Sequence, residues 1–233
     1  DVPLKPAASW TQIGNAALKR FDSKMKTNGK APFTIDVKLP NMATAVMIHP
    51  PKFGATVASF DAAKAKLVKG VIDVVQISRG VAVVAENMWT AIKGREQVSV
   101  TWNEENAEKR GSAEILAAYE AQAKAAPLAV ARNDGDAAGA ISSAAKTLEA
   151  TFSFPYLAHA ALEPLNAVAQ MKDGVVEIWA GHQMPDLYQY VASQIAGVTP
   201  DKVKLHVMRT GGGFGRRAVF DADVVAESVE VAK

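Results

Sequence analysis

The sequence of 233 residues contains no cysteine. The absence of thiols excludes cysteine-ligated zinc, iron–sulfur clusters and thiol catalysis within these residues, although it does not decide the cellular compartment. The sequence also lacks a strong excess of positive or negative charge. It contains 26 Lys and Arg and 24 Asp and Glu, which give a net charge of +2. This balance is not typical of a protein that holds a nucleic acid backbone, so we expect no nucleic acid partner.

Long hydrophobic runs are absent as well. No stretch approaches the roughly 18 apolar residues of a membrane-spanning helix, and the first residues lack the basic and apolar regions of a signal peptide. We therefore expect neither a transmembrane segment nor a signal peptide in this sequence. Residues 226–233 have helical character without a Gly or Pro stop, which is typical of a chain cut within a helix. We expect a piece of a longer protein.

The composition that is present, 49% hydrophobic and 21% charged, is that of a globular protein with one large or two small domains. Apolar periodicity predicts an α+β fold. Strands are predicted at 33–39, 43–48, 57–60, 71–77, 81–85, 98–102, 146–153, 166–171, 175–180 and 202–208. Helices are predicted within 10–21, at 62–68, 88–95, 104–126 and 185–196, and after residue 217.

These elements predict four divisions of the chain. An N-terminal segment at 1–31 is followed by a first α+β unit at 32–126. A stretch rich in Ala, Gly, Asp and Ser at 127–145 predicts a linker, and a second α+β unit occupies 146–233.

The sharpest local motif is Gly-Gly-Gly-Phe-Gly-Arg-Arg at 211–217, directly after a predicted strand. Glycines let the backbone approach a ligand, successive N–H groups form an anion nest, and Arg216 and Arg217 offer forked donors to phosphate or carboxylate. The motif lacks the Gly-Lys-Ser/Thr of a Walker loop, and Arg216 replaces the third Gly of a dinucleotide fingerprint. An anion site and a plain tight turn both remain open.

Two further segments carry polar side chains in apolar surroundings. His159 and Glu163 could form a general base pair, although a hydrogen-bonded core position is the more common role of such a His. The other histidines, His49, His182 and His206, are too scattered for a zinc site. Gln183 lies between a predicted strand and helix, where its amide could face a ligand or form an ordinary helix cap.

Three ordered motifs together resemble the molybdenum-binding subunit of the xanthine dehydrogenase/aldehyde oxidase family, in the branch of the isoquinoline 1-oxidoreductase beta subunit. They are Tyr-Leu-Ala-His-Ala-Ala-Leu-Glu-Pro at 156–164, Ile-Trp-Ala-Gly-His-Gln-Met-Pro at 178–185 and the glycine motif at 211–217. Residues 29–42 and 70–75 resemble the α/β hammerhead domain of that family. The resemblance implies a hammerhead-like domain at 32–126 and the start of the molybdopterin-binding domain at 146–233.

The family resemblance implies a molybdenum hydroxylase that oxidises N-heterocycles or aldehydes with oxygen from water. It implies a molybdopterin cofactor, in the cytosine dinucleotide form, with molybdenum. The Phe214 N–H would approach an oxygen on the metal, Gly212 and Gly213 would permit that approach, and Gln183 would line the same region. Gly215 and Arg216 complete the implied cofactor-binding set.

The same resemblance places other parts of the enzyme outside these residues. The general-base Glu lies downstream, so no catalytic residue is assigned here and the isolated piece is expected to be inactive. Iron–sulfur clusters would lie on a small partner subunit, with a cytochrome c as a further partner. Leu157 and Ala218 replace a Gln and a Glu of xanthine dehydrogenases, which argues against a purine-type substrate. The branch favours a periplasmic location, with the cytoplasm as the alternative.

Two other classes of function stay open at the level of sequence. Because the site is incomplete, the chain could be a non-catalytic module that binds a small molecule or assists assembly on the same scaffold. The glycine motif alone is also compatible with a protein that binds phosphate or a nucleotide.

Overall fold

The computed structural model describes residues 2–233 as helices, strands and irregular segments. The α-helices are α1 (Ser23–Thr27), α2 (Ala63–Lys66), α3 (Met88–Arg95), α4 (Ser112–Ala123), α5 (Ala137–Ser142), α6 (Pro185–Ala196) and α7 (Asp223–Ala232). The strands are β1 (Thr44–Ile48), β2 (Thr56–Asp61), β3 (Val71–Ile77), β4 (Gly80–Ala85), β5 (Ser99–Asn103), β6 (Ala167–Lys172), β7 (Val175–Ala180) and β8 (Val203–Val207). Short 3-10 helices occupy Ala7–Ser9, Thr34–Asp36 and Pro200–Lys202.

The chain divides into two compact units. The terminal unit comprises Asp1–Met42 and Ala160–Lys233, and the central unit comprises Ala43–His159. The domain boundaries at 31, 126 and 145, and the hammerhead identity of the first unit, remain predictions. The mixed helix and sheet content agrees with the predicted α+β class.

The central unit contains two antiparallel sheets. One sheet has the strand order β1-β4-β3 and the other pairs β2 with β5. The strands predicted at 71–77 and 81–85 form the antiparallel β3–β4 hairpin, and its β-branched residues supply much of the core. The side chain of Asn87 accepts a hydrogen bond from the Thr90 N–H and begins α3 as predicted. The buried core consists of Ala62, Ala65, Val74, Val81 and Val83.

The terminal unit contains one sheet of order β6-β7-β8. The β6 and β7 strands form an antiparallel hairpin, whereas β7 and β8 are parallel and are joined through α6. Helix α6 begins with Pro185 and ends at Gly197, whose φ of 73° and bond to the Ser193 carbonyl complete a left-handed cap. Helices α6 and α7 bury one sheet face, with a core that includes Val176, Ile178, Tyr188, Ala192, Val225 and Val229.

Three predicted elements are wrong, two of them near the chain start and one before the β6-β7-β8 sheet. The helix within 10–21 does not form, and Ile13, Leu18 and Phe21 are exposed, because no core surface receives the apolar stripe. The strand at 33–39 is instead a 3-10 turn, since the Asp36 carboxylate accepts from the Phe33 N–H at 2.9 Å. Residues 146–153 have no strand partner within residues 2–233.

The structure also differs from the predictions for a helix at 104–126 and a linker at 127–145. Helix α4 occupies only Ser112–Ala123 of the predicted 104–126. The predicted linker contains α5, whose first turn is closed by the Asp136 carboxylate accepting from the Gly139 N–H at 2.8 Å. Over residues 2–233, no helix has both the length and the apolar character to cross a membrane.

Candidate functional site

The candidate site lies where two parallel strands of the terminal unit end. Ala180 of β7 is in register with Val207 of β8, so the segments that follow both strands emerge at the same sheet edge. Gln183 follows β7, and the glycine motif follows β8. A β-carbon built on Gly213 would lie 3.3 Å from the Gln183 Oε1. The structure thus brings together Gln183 and the glycine motif, as the family resemblance implies.

The buried side chain of Arg217 connects three segments of the site, which contain Glu163, Gly181 and Gly212. Its side chain is 1% exposed. The guanidinium donates to three carbonyl oxygens, at 2.7 Å to Gly212, 3.2 Å to Gly181 and 2.9 Å to Glu163. Its own carbonyl accepts from the Gln183 N–H at 2.9 Å. Arg217 therefore holds the glycine loop in a fixed position.

This arrangement corrects the prediction that Arg217 offers a forked donor to an external anion. Its carbonyl also accepts from the Tyr188 hydroxyl at 2.9 Å, which ties residue 217 to helix α6. The Nε, Nη1 and Nη2 atoms all have protein acceptors. A side chain used in this way supports the site and does not face a ligand.

Glu163 is the ionic partner of Arg217. Its carboxylate oxygen Oε2 lies 3.2 Å from Arg217 Nη2 and accepts from the Gly211 N–H at 2.8 Å. The Glu163 N–H in turn donates to the Gly211 carbonyl at 3.0 Å. A carboxylate committed to these partners is not a free general base. The predicted core position of His159 is also wrong, because that residue is exposed and belongs to the central unit.

The backbone of the glycine loop adopts the left-handed region at three residues. The φ angles are 110° at Gly212, 54° at Phe214 and 91° at Gly215. Positive φ is strained for Phe214, and such strain is concentrated at ligand-binding and active sites. Within residues 2–233, the Phe214 N–H has no hydrogen-bond acceptor. The loop therefore presents an unused backbone donor one residue after Gly213, whose β-carbon position lies beside Gln183.

Gly211 is required for close packing. A β-carbon on Gly211 would lie 2.3 Å from the Glu163 β-carbon, far inside van der Waals contact. The absence of a side chain lets the loop backbone pair with the backbone of residue 163. The first glycine of the motif, Gly211, thus lets the loop pack against Glu163.

Arg216 belongs to a second ion pair at the end of the loop. Its Nη2 donates to the Asp223 carboxylate at the start of α7, and this contact raises the pKa of the Arg216 guanidinium. Its Nη1 is buried and lacks a partner among residues 2–233. Of the two predicted cationic residues, Arg216 therefore has an Nη1 without an acceptor within residues 2–233, whereas Nε, Nη1 and Nη2 of Arg217 all have acceptors.

His182 is a feature that sequence reasoning treated only as a rejected zinc ligand. It is 7% exposed, and its ring centroid lies 5.0 Å from that of Tyr188. Both ring nitrogens are buried and unpartnered within residues 2–233. Buried polar atoms without partners are uncommon and often mark a bound water, ion or ligand. The position of His182 next to Gln183 was the available sequence signal.

These residues fit an anionic, oxygen-rich group. The Phe214 N–H and Arg216 Nη1 are unused donors, and Gln183 supplies both a donor and an acceptor. Gly215 leaves open space beside the loop backbone, whereas β-carbons at Gly212 and Gly213 would lie against Ala161 and Gln183. A cofactor with phosphate or metal-bound oxygen atoms matches this donor set.

We expect His182 to make the stability of the protein depend on pH. Burial lowers the pKa of His182, so the unfolded chain takes up a proton that the folded chain resists. The stability contributed by the neutral ring is complete above the ordinary pKa of about 6.5 and is lost as pH falls below it. Denaturant unfolding of wild type and His182→Gln from pH 7.5 to pH 5 measures how the free energy of unfolding depends on pH.

The expected result is a steeper loss of stability in wild type than in His182→Gln as the pH falls. Titrating carboxylates contribute equally to both proteins, so the difference between the two curves isolates residue 182. Parallel curves would show that the imidazole ring is accessible to protons in the folded state.

Comparison with known proteins agrees with this geometry. Residues 120–229 match the family model of the molybdopterin cofactor-binding domain. The chain is 35% identical to membrane-bound aldehyde dehydrogenase (pyrroloquinoline-quinone) of Gluconacetobacter polyoxogenes, over 93% of this chain and 29% of that protein. It is 30% identical to isoquinoline 1-oxidoreductase subunit beta of Brevundimonas diminuta, over 98% of this chain and 31% of that protein.

A solved structure supports the fold. The crystal structure of quinoline 2-oxidoreductase from Pseudomonas putida 86 matches 93% of this chain and 33% of that chain, with a TM-score of 0.66 and 19% identity. The chain spans less than a third of the length of the two curated relatives above. Residues 120–229 thus match the molybdopterin cofactor-binding domain, and the chain as a whole is similar to a segment of these two relatives.

Proposed function

We propose that this chain holds the molybdenum cofactor of a molybdenum hydroxylase through the loop at 212–216 and through Gln183. The observation that carries the proposal is the unused Phe214 N–H in a strained loop whose Gly213 lies beside Gln183. Bound there, the cofactor would supply the two-electron oxidation chemistry of the enzyme. The residues of this chain bind and orient it.

The roles of these residues follow from their surroundings. The Phe214 N–H donates to an anionic oxygen atom and holds it in a fixed position, because its backbone is set by Gly212 and Gly215. Gln183, which is exposed and lies beside Gly213, offers its amide to the same group. Glu163 and Arg217 keep the loop in place, and neither moves a proton in the reaction.

The wider activity is part of the same proposal. We infer that the complete enzyme oxidises an N-heterocycle or an aldehyde with oxygen from water and uses the cytosine dinucleotide form of molybdopterin. The catalytic base would come from a part of the enzyme other than these residues. Electrons would leave through iron–sulfur clusters on a small subunit, with a cytochrome c as a further acceptor. A periplasmic location is proposed on the same basis, with the cytoplasm as the alternative.

The competing interpretation of the glycine motif as a general phosphate or nucleotide site has less support. Such a site would use Arg217 as a forked donor, and the donors of Arg217 are occupied by three carbonyl groups and Glu163. The name of the Gluconacetobacter relative includes pyrroloquinoline quinone. The experiments must therefore identify the bound cofactor directly.

The substitution Gln183→Glu tests the proposed site. It keeps the size of the side chain and places a carboxylate where the amide would meet an anionic cofactor, so the two negative groups repel each other. We expect the molybdenum content of the purified full-length gene product to fall about tenfold, equivalent to about 1.4 kcal/mol. Because Gln183 is exposed, the thermal midpoint of the cofactor-free protein should not change.

Gln122→Glu is the matched control, since Gln122 is exposed on helix α4 of the central unit. This variant should keep the molybdenum content of wild type. A molybdenum content equal to that of wild type in both variants would show that Gln183 is not part of the site.

A further inference from the structure

An N-terminal segment that lies outside the matched domain contacts the candidate site. Thr34, in the 3-10 helix Thr34–Asp36, is 1% exposed. Its hydroxyl oxygen accepts a hydrogen bond from the Gly181 N–H at 3.0 Å, across 147 residues of sequence. Both residues belong to the terminal unit. This buried bond links the start of the chain to the segment that carries Gln183.

Gly181 is held on both sides of its backbone. Its N–H donates to Thr34, and its carbonyl accepts from Arg217 Nη1 at 3.2 Å. A β-carbon at Gly181 would lie 3.0 Å from the Arg209 carbonyl, so the segment after β7 also packs tightly against the segment after β8. Phe33 forms an isolated parallel bridge with Arg209. Residues 33 and 34 thus contact the backbone after both strands.

The contacts continue from Gly181 to the glycine loop through Arg217. The same guanidinium that holds Gly181 donates to the Gly212 carbonyl and to the Glu163 carbonyl. The Arg217 carbonyl receives the Gln183 N–H. A shift of Gly181 therefore acts on Arg217 and, through it, on both halves of the site.

We infer that Thr34 is a positioning residue of the cofactor site. It sets the backbone at 181–183 and thereby fixes Gln183 relative to the glycine loop, an inference that rests on the proposed function. Thr34 does not touch the cofactor and acts only through Gly181 and Arg217. The site accordingly includes a segment more than 80 residues before the start of the matched domain at 120.

Thr34→Val and Thr34→Ser form a matched pair of variants. Valine keeps the shape of threonine and removes the acceptor, which leaves the buried Gly181 N–H without a partner. Serine keeps the hydroxyl oxygen and removes one methyl group. Amide hydrogen exchange is measured in the cofactor-free full-length gene product at Gln183 and Gly211, two amides that do not contact residue 34.

Thr34→Val should lower the protection of the Gln183 and Gly211 amides about tenfold relative to wild type, the expected effect of an orphaned buried donor. Thr34→Ser should restore most of that protection. Amides of α3 in the central unit should be unchanged in both variants. Unchanged protection at Gln183 and Gly211, or an equal loss throughout the protein, would overturn the inference.

Molybdenum content provides the second readout. In the cofactor-loaded protein, Thr34→Val should retain less molybdenum per folded chain than Thr34→Ser, and equal contents would overturn the positioning role. If wild type itself holds no molybdenum, the proposed function fails. In that case the exchange data still decide whether Thr34 sets the backbone of residues 181–183.

Discussion

Replacement of Arg217 by methionine is expected to lower the free energy of unfolding by about 3–5 kcal/mol. The substitution removes the cation from a buried pair whose side chains are 1% and 7% exposed, and it leaves the Glu163 carboxylate uncompensated. It also orphans the carbonyl groups of Gly181 and Gly212, which accept from the guanidinium. Urea unfolding of the cofactor-free protein measures the change.

Two further variants show whether the cost comes from the buried charge. The double variant Arg217→Met/Glu163→Leu should be more stable than Arg217→Met alone, because it removes the unpaired carboxylate. Arg20→Met is the exposed control, since Arg20 pairs with Asp22 and its side chain is 74% exposed. That control should change stability by less than about 0.5 kcal/mol. A loss below about 1 kcal/mol for Arg217→Met would contradict a supporting role for Arg217.

The substitution Gly211→Ala should destabilise the protein by about 2–3 kcal/mol. Its β-carbon would lie 2.3 Å from the Glu163 β-carbon, so the loop or the backbone at 163 must move. That movement stretches the bond from the Glu163 N–H to the Gly211 carbonyl and the bond from the Gly211 N–H to the Glu163 carboxylate. Thermal unfolding and the molybdenum content of the loaded protein should therefore both be affected.

Gly215→Ala is the control within the same loop. A β-carbon at Gly215 meets no atom within 4 Å, so its cost of about 1–2 kcal/mol would come from the φ of 91° alone. The difference between the two variants isolates the close packing at Gly211. If Gly215→Ala were the more damaging substitution, backbone strain and not close packing would dominate the loop.

The secondary-structure elements around Gln183 and the glycine motif could be predicted because they depend on local signals. The β6–β7 hairpin, the start of α6 at Pro185 and its end at Gly197 each have short-range sequence signatures. Two parallel strands joined by that helix bring their following segments to one edge. The family resemblance implies that Gln183 and the glycine loop share one region, and the structure brings Gln183 to Gly213 through this topology.

The contacts of Thr34, Glu163 and Arg217 that hold the site in place could not be predicted, because they join polar side chains far apart in the sequence. Adjacent arginines in a sequence look alike, yet Arg217 is buried and Arg216 is paired with Asp223. The bond between Thr34 and Gly181 spans 147 residues and has no local signature. The strand at 33–39 is predicted from alternating apolar residues, which would bury Ile35 and expose Thr34. In the structure Thr34 is buried and Ile35 is 53% exposed.

The most direct test of the central claim is metal and cofactor analysis of the purified full-length gene product. Elemental analysis should find stoichiometric molybdenum, and release of the organic cofactor should yield a pterin with a cytosine nucleotide. A protein without molybdenum that releases pyrroloquinoline quinone, or no cofactor at all, would contradict the assignment of the loop at 212–216 and Gln183 to a molybdenum cofactor.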